Sequence, residues 1–177
     1  MSKLIRLLRY DWPLHFILIF SNWMPDNVAF LRFRGWLASP FFKSCGKSLR
    51  IGRDVTFFNP SNISIGDKVY IAKGGWLLAI EEIRLDSEVL LGPYVQIVTA
   101  NHSFEKGAYR NGPVVNRVAV VIGAGSWLSG HCTVLPGSNL GKGVLIAANS
   151  VFKGNAQDGD VFGGVPAKKI KSIDLNK

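Results

Sequence analysis

IGAGSWLSGHCTVLPGSNLGKGVLIAANSVF, residues 122–152, carries a large apolar side chain at every sixth position: Ile122, Leu128, Val134, Leu140, Ile146 and Phe152. Four residues after each of the first five comes a smaller one: Ser126, Cys132, Ser138, Val144 and Ser150. The same phase appears upstream in Ile51 with Val55, Ile65 with Val69, Ile71 with Gly75, and Leu91 with Val95. Between those blocks the frame slips by two, from Ile63 to Ile65 and from Ile83 to Leu85. A period of six fits neither the 3.6 of a helix nor a sustained alternation of two. It fits short strands joined by tight turns, each strand giving one bulky residue to a shared interior. Three hexads complete one turn of a triangular coil, and successive coils stack their strands in parallel. Glycines are expected to supply the positive φ of the turns. A sandwich of short strands does not account for six hits in one register. The reading is all-β: a parallel β-helix over residues 49–165, with an excursion at 102–118 and a tail at 166–177.

Outside the repeat, residues 1–48 read as a helical cap. Leu4, Ile5, Leu7 and Leu8 alternate with Lys3, Arg6 and Arg9, as in an amphipathic helix, and Val28 to Leu37 suits a second one. Pro13 and Pro25 punctuate the segment. An uncapped coil would expose its interior, which gives the segment a structural reason to exist. The run Leu14 to Phe20 is far short of the roughly 20 residues that span a bilayer. Lys3, Arg6 and Arg9 break up the first apolar stretch, which speaks against a cleavable signal.

Of 177 residues, 47% are hydrophobic and 19% charged, as in a globular chain. Two cysteines, Cys45 and Cys132, make neither a disulfide framework nor a metal-ligand spacing, so a reducing, cytoplasmic setting is expected. The net charge of +9 is unevenly spread: residues 1–53 hold nine Lys or Arg against Asp11 and Asp26, a net of +7. That segment also carries Trp12, Phe16, Phe20 and Trp23, so basic and apolar character coincide. The combination favours a membrane surface or partner packing over nucleic acid, and beside capping the coil the segment is a candidate for peripheral contact with an anionic inner membrane.

Three local features bring in a resemblance. Asn101-His102 ends the strand Ile97 to Ala100 and opens an irregular stretch, Ser103 to Arg117. Gly125-Ser-Trp-Leu-Ser-Gly130 follows within the clean repeat, and Gly163-Gly-Val-Pro-Ala-Lys168 closes it. With these the chain resembles the hexapeptide-repeat acyltransferases, nearest the galactoside, maltose and capsular-polysaccharide O-acetyltransferases. The resemblance covers residues 49 to about 171 and implies a left-handed coil, against the usual hand of parallel crossovers. It also implies a homotrimer with active sites between subunits, to which outward-facing Phe58, Trp76 and Leu78 would suit a buried wall.

Acetyl transfer to a sugar hydroxyl needs a base for the hydroxyl proton and a donor for the developing oxyanion. His102 stands where the family keeps its general base. His15 sits in an apolar setting and His131 on a turn, and both read more simply as structural. No Gly-x-Ser-x-Gly is present, so direct transfer without an acyl-enzyme is the simpler route. The resemblance makes the Gly130 N–H the oxyanion donor and acetyl-CoA the co-substrate, with no metal. It runs the CoA past Trp127, Gly130 and Ala148 toward Lys153, Lys168 and Lys171. Family members often carry arginine where this chain has Lys168 and Lys171; Lys169 reads equally as surface. For the acceptor, Asn101, Glu105, Tyr109, Arg110 and Asn111 are candidates at the excursion, and Asp67, Trp76 and Tyr94 from elsewhere. N-acetylation of an amino sugar uses the same base and donor and stays open. So does a non-catalytic trimeric scaffold, whereas the three histidines do not show a carbonic-anhydrase spacing.

Overall fold

The structure is a computed structural model that describes residues 3–175, apart from the side chain of Asn111. From Ser44 the chain winds as a triangular coil of short strands that pair in parallel with those of the next coil. The first wall runs through Ser44–Cys45, Ile63–Ile65, Ile83–Leu85, Val120–Ile122, Asn139–Leu140 and Asn155–Ala156. The second contains Arg50–Ile51, Tyr70–Ile71, Leu90–Leu91, Trp127–Leu128, Leu145–Ile146 and Asp160–Gly164. The third contains Thr56–Phe58, Trp76–Leu78, Gln96–Val98, Thr133–Val134 and Val151–Phe152. Register places like on like: Ile51 pairs with Ile71, Ile71 with Leu91, Leu91 with Leu128, and Leu128 with Ile146, all fully buried. The two-residue slips are real insertions. Ser64 pairs with Arg84, twenty residues on, and Val121 with Asn139, eighteen on. In the longer coils Ile63 and Ile65 both face the interior, as do Ile83 and Leu85.

The small side chains of the hexads are buried polar groups satisfied where the chain turns. Ser126 Oγ donates to Gly141 O at 3.0 Å and accepts from the Val144 N–H at 3.0 Å. Ser138 Oγ donates to Leu135 O at 2.7 Å, and Ser150 Oγ accepts from the Gly164 N–H at 3.0 Å.

Each turn from the first wall to the second and from the second to the third contains one left-handed residue, and glycine supplies fewer of them than the sequence suggests. Between the first and second walls these are Ser48, Lys68, Glu88, Gly125, Gly143 and Gly159. Between the second and third they are Asp54, Gly74, Tyr94, His131 and Asn149. A side chain in this conformation costs about 1–2 kcal/mol. The cost is offset because, Ser48 and Asp54 of the first coil apart, the N–H of each such residue reaches a carbonyl of the coil below, as His131 N–H does to Pro93 O at 2.8 Å; Asp54 N–H instead donates to Asn22 Oδ1 at 3.1 Å.

The cap is a bent helix, Lys3 to Ser21, followed by a second helix, Val28–Ala38, whose N-cap Asn27 accepts from the Phe30 N–H at 3.1 Å. The bend is a wide turn at Leu7–Asp11, just before Pro13, where the ring lacks an N–H and crowds the preceding turn. The helix Val28–Ala38 lies on the first coil at Gly35, where a Cβ would run into the Leu49 carbonyl. Beside it Arg34 is completely buried. Its guanidinium donates to Asp26 Oδ1 at 2.6 Å, to Ile51 O at 3.1 Å and to the carbonyls of Ser21 and Met24. Arg53 also pairs with Asp26, and Arg6 with Asp11, so part of the N-terminal charge is structural.

Two boundaries move. The coil begins at Ser44, within the segment assigned to the cap, and its first wall already pairs Ser44 with Ser64. Residues Ala167–Ser172 are a strand antiparallel to Asp160–Gly164, not a free tail. Lys169 Nζ meets the buried Asp160 carboxylate at 2.7 Å.

Candidate active site

The excursion leaves the coil at the edge between the third and first walls. Thr99 roots it: the buried hydroxyl accepts from the Glu81 N–H at 2.9 Å and bonds the Leu78 carbonyl, while Thr99 O takes the N–H of the returning Val118. Beyond this root, Asn101–His102 pairs antiparallel with Val114–Val115, with His102 opposite Val114. The ribbon projects from the coil. Asn101, His102, Glu105 and Arg110 are all exposed, and Phe104 and Tyr109 pack edge to face at its tip, 5.2 Å apart. His102 is therefore an accessible imidazole on a two-strand support.

The edge between the second and third walls carries the other half of the predicted chemistry. Just before each left-handed residue stands a corner residue whose N–H lies outside the ladder: Arg53, Lys73, Pro93, Gly130 and Ala148. Arg53 gives its N–H to the Asp26 carboxylate at 3.2 Å, which shows that this corner can hold an anionic oxygen. Pro93 has no N–H. Those of Lys73, Gly130 and Ala148 donate to no described group, the last two in neighbouring coils. At the neighbouring edge three of the comparable donors are taken by side chains, Lys47 N–H by Asp67 at 2.6 Å, Asp67 N–H by Ser87 at 3.1 Å and Lys142 N–H by Asp158 at 2.8 Å, while those of Ser87, Ala124 and Asp158 donate to no described group. Gly130 and Ala148 thus stand one above the other as open donors, and Trp127 is exposed on the second wall beside them. Tyr70, Ala72, Leu90, Gly92, Pro93 and Trp127 line an apolar groove of about 270 Å³ that opens alongside. Above Ala148, Gly163 packs on Ala147 with room only for small side chains, and exposed Lys168 pairs with Gly163.

Within one chain these two groups stay apart. Gly130 and His102 stand at opposite edges of the third wall, separated by the strand from Pro93 to Thr99, roughly 20 Å of extended chain. Lys153 follows the third-wall strand Val151–Phe152 and so lies at the edge of His102, away from Ala148 and Lys168. Lys171 pairs with Val161, farther along the hairpin from that corner than Lys168. Of the alternative acceptor contacts, Asp67 is engaged by the Lys47 N–H, and Trp76 packs on Phe58 at 5.2 Å. Tyr94 stacks on His131 at 5.0 Å and 18°. His131 thereby has a ring partner, while His15 is exposed on the cap helix.

The thiols are poor nucleophiles here. Cys132 is fully buried, its Sγ directed to Ala147 O at 3.0 Å, and burial raises its pKa. Burial, with a smaller push from Asp67, raises Cys45 to about 11. Neither favours an acyl-cysteine. Among the described residues no group of three His, Cys, Asp or Glu is placed to hold a metal ion.

No protein-family profile matches the chain. It is 37% identical over 137 residues to the putative lipopolysaccharide biosynthesis O-acetyl transferase WbbJ of Escherichia coli, covering 71% of this chain and 66% of that one. It is 25% identical over 138 residues to the galactoside O-acetyltransferase of the same organism, covering 78% and 61%. The chain thus spans a little under two thirds of the length of these relatives. A solved galactoside acetyltransferase in complex with coenzyme A superposes with a TM-score of 0.83 at 22% identity, over 99% of this chain and 86% of that one. A maltose O-acetyltransferase from Clostridium difficile does so at 0.78 and 23%, over 98% and 90%. The shared fold is the left-handed parallel β-helix, and the superposition includes the helical cap.

Proposed function

This chain belongs to the hexapeptide-repeat acyltransferases, and on that footing we propose that it transfers acetyl from acetyl-CoA to a hydroxyl of a sugar or surface-glycan precursor. The observation that carries the proposal is the pair of open N–H groups at Gly130 and Ala148, stacked beside exposed Trp127 on a corner that elsewhere binds a carboxylate. The hydroxyl oxygen attacks the thioester carbon while His102 takes its proton. The Gly130 N–H donates to the carbonyl oxygen as negative charge collects there. The carbon–sulfur bond breaks, and the imidazolium returns the proton to the leaving thiolate. Ala148 N–H would hold an amide oxygen of the pantetheine arm, the groove at Trp127 its apolar length, and Lys168 a phosphate, as a point charge and not a bidentate clamp. The buried thiols and the exposed histidine both favour transfer without an acyl-enzyme. The relatives' names speak of O-acetyl transfer in lipopolysaccharide biosynthesis and of galactoside O-acetyl transfer, which supports a sugar hydroxyl as acceptor.

Because His102 and Gly130 stand at opposite edges of one chain, the site is completed by a neighbouring subunit, with the excursion of one chain laid against the Gly130 corner of the next. A cyclic homotrimer does this three times over. Phe58 and Trp76 on the outer face of the third wall offer apolar surface for that contact. Complementation tests it. His102→Ala and Gly130→Pro chains, each inactive alone, are mixed equally and reassembled. Half of the sites receive an intact histidine and half of those an intact glycine, so about a quarter of wild-type activity is expected. Mixed trimers as silent as their parents would mean that both groups act within one chain.

A further inference from the structure

The helical cap closes the coil with one face and leaves the other uncovered. Leu14, Leu18 and Leu31 face inward. Outward, Leu8, Trp12, Phe16, Ile19 and Phe20 follow one another at helical spacing along Lys3 to Ser21, a face roughly 28 Å long. Trp23 in the turn between the two helices is 77% exposed, Phe20 73%, and Trp36 on the next helix 69%. Phe33 joins them: it lines an apolar groove of about 240 Å³ with Phe16, Phe20 and Met24, and stacks on Trp36 at 6.1 Å and 30°.

On the far side of Trp36 the character changes. A cleft of about 390 Å³ is lined by Arg32, Trp36, Lys47 and Ser48. It adjoins a hollow of about 240 Å³ lined by Arg32, Ser48, Arg50 and Lys68. No acidic side chain lines either, although Lys68 also reaches Glu88 at 2.8 Å and Arg50 lies over the Tyr70 ring. Basic and apolar surfaces thus adjoin at Trp36.

We propose that this hairpin docks on a bilayer containing anionic phospholipid, the aromatic face entering the outer part of the acyl layer and the basic cleft receiving a phosphate headgroup. An aromatic and aliphatic stripe bordered by cations is the chemistry of an interfacial helix. No helix among the described residues is long and apolar enough to cross a membrane, so the contact is peripheral. The structure also narrows which charges serve it. Arg34 and Arg53 are held by Asp26, Arg6 by Asp11 and Lys68 by Glu88, so the working cations are Arg32, Lys47 and Arg50 and not the segment's net charge. The docking is separate from acyl transfer and stands or falls without it.

The test is co-sedimentation of the full chain with phosphatidylcholine vesicles and with the same vesicles carrying about one third phosphatidylglycerol, at several salt concentrations. Binding is expected on the anionic vesicles, at least about tenfold weaker on the neutral ones, and falling with salt. Arg32→Gln with Lys47→Gln should weaken it by about 25-fold, or about fivefold per cation near a charged surface. Phe20→Ser with Trp23→Ser should weaken it without changing the salt slope, and bromolipid should quench tryptophan emission in the wild type. All four side chains are exposed, so unchanged melting temperatures and unchanged turnover on a soluble acceptor serve as controls. Failure to bind anionic vesicles at low salt would overturn the proposal, as would indifference to both variant pairs. Tryptophans shielded from acrylamide before any vesicle is added would assign the face to a second copy of the chain instead.

Discussion

Replacing Gly130 by proline removes one N–H and changes little else. The position tolerates the ring because its counterpart one coil below is Pro93, which sits at the same corner above Lys73. A Cβ on Gly130 would lie 3.5 Å from Pro93 O and 3.8 Å from Pro93 Cδ, ordinary van der Waals contact. The Gly130 carbonyl keeps its bond from the Asn149 N–H, and the ladder bond of His131 is untouched. The native state therefore loses no hydrogen bond, and the unfolded chain loses freedom, worth about 0.4–1 kcal/mol in favour of folding. Loss of a donor to the developing oxyanion costs about 2.7–4 kcal/mol in the transition state, a fall in kcat of about 10² to 10³. Thiol release from acetyl-CoA, followed with a fixed acceptor, reads the rate; a thermal melt reads the stability. The expected signature is a large drop in kcat, a near-constant KM for acetyl-CoA, and a melting temperature equal to or above wild type. A Gly130→Pro enzyme within about threefold of wild-type kcat would remove this N–H from the mechanism.

Three further perturbations probe separate parts of the molecule. Ala148→Pro removes the second open donor, and the loss of one hydrogen bond to the pantetheine arm should raise KM for acetyl-CoA by about five- to tenfold at constant kcat; an unchanged KM would place the arm elsewhere. Arg34→Ala leaves buried carbonyls and Asp26 without their partner, so urea unfolding should report a loss of about 3–5 kcal/mol, and a loss below about 1 kcal/mol would mean that the cap does not hang on this residue. Hydrogen bonds from Lys169 and Ser172 hold the Asp160 carboxyl below its ordinary pKa. A carboxylate depressed in the folded state contributes stability above its unfolded pKa of about 3.9 and loses it as pH falls through the folded value. In Lys169→Met the depression is smaller, so acid unfolding should begin at higher pH, and superimposable acid curves would contradict the pairing.

How far the sequence carries can be traced residue by residue. Ile122 through Phe152 announce the coil because each buried residue recurs at the same depth of the same wall, a periodicity that needs no partner to be seen. His102 is marked by the break in that rhythm. The corners are less legible. Tyr94 and His131 adopt positive φ that nothing in their chemistry suggests, because the ladder bond to the coil below, and not the side chain, fixes the conformation. That Gly130 N–H is open cannot be read from Gly130 at all; it depends on the absence of an Asp67-like side chain in the next coil. Lys153 is five positions after Ala148, which looks close, yet about five residues is the length of a wall and carries it to the next edge. Arg34 counts as one cation among nine in the sequence, and its burial emerges only when Asp26 and the Ile51 carbonyl are brought round to it.

The most direct test of acetyl transfer by this site is acceptor-dependent thiol release from acetyl-CoA, measured over a panel of sugars and glycan fragments with wild-type protein and His102→Ala. We expect release that requires an acceptor and falls by about 10² to 10⁴ in the variant, with the fold intact by melting. Equal turnover in the two proteins would contradict the assignment of His102 as base.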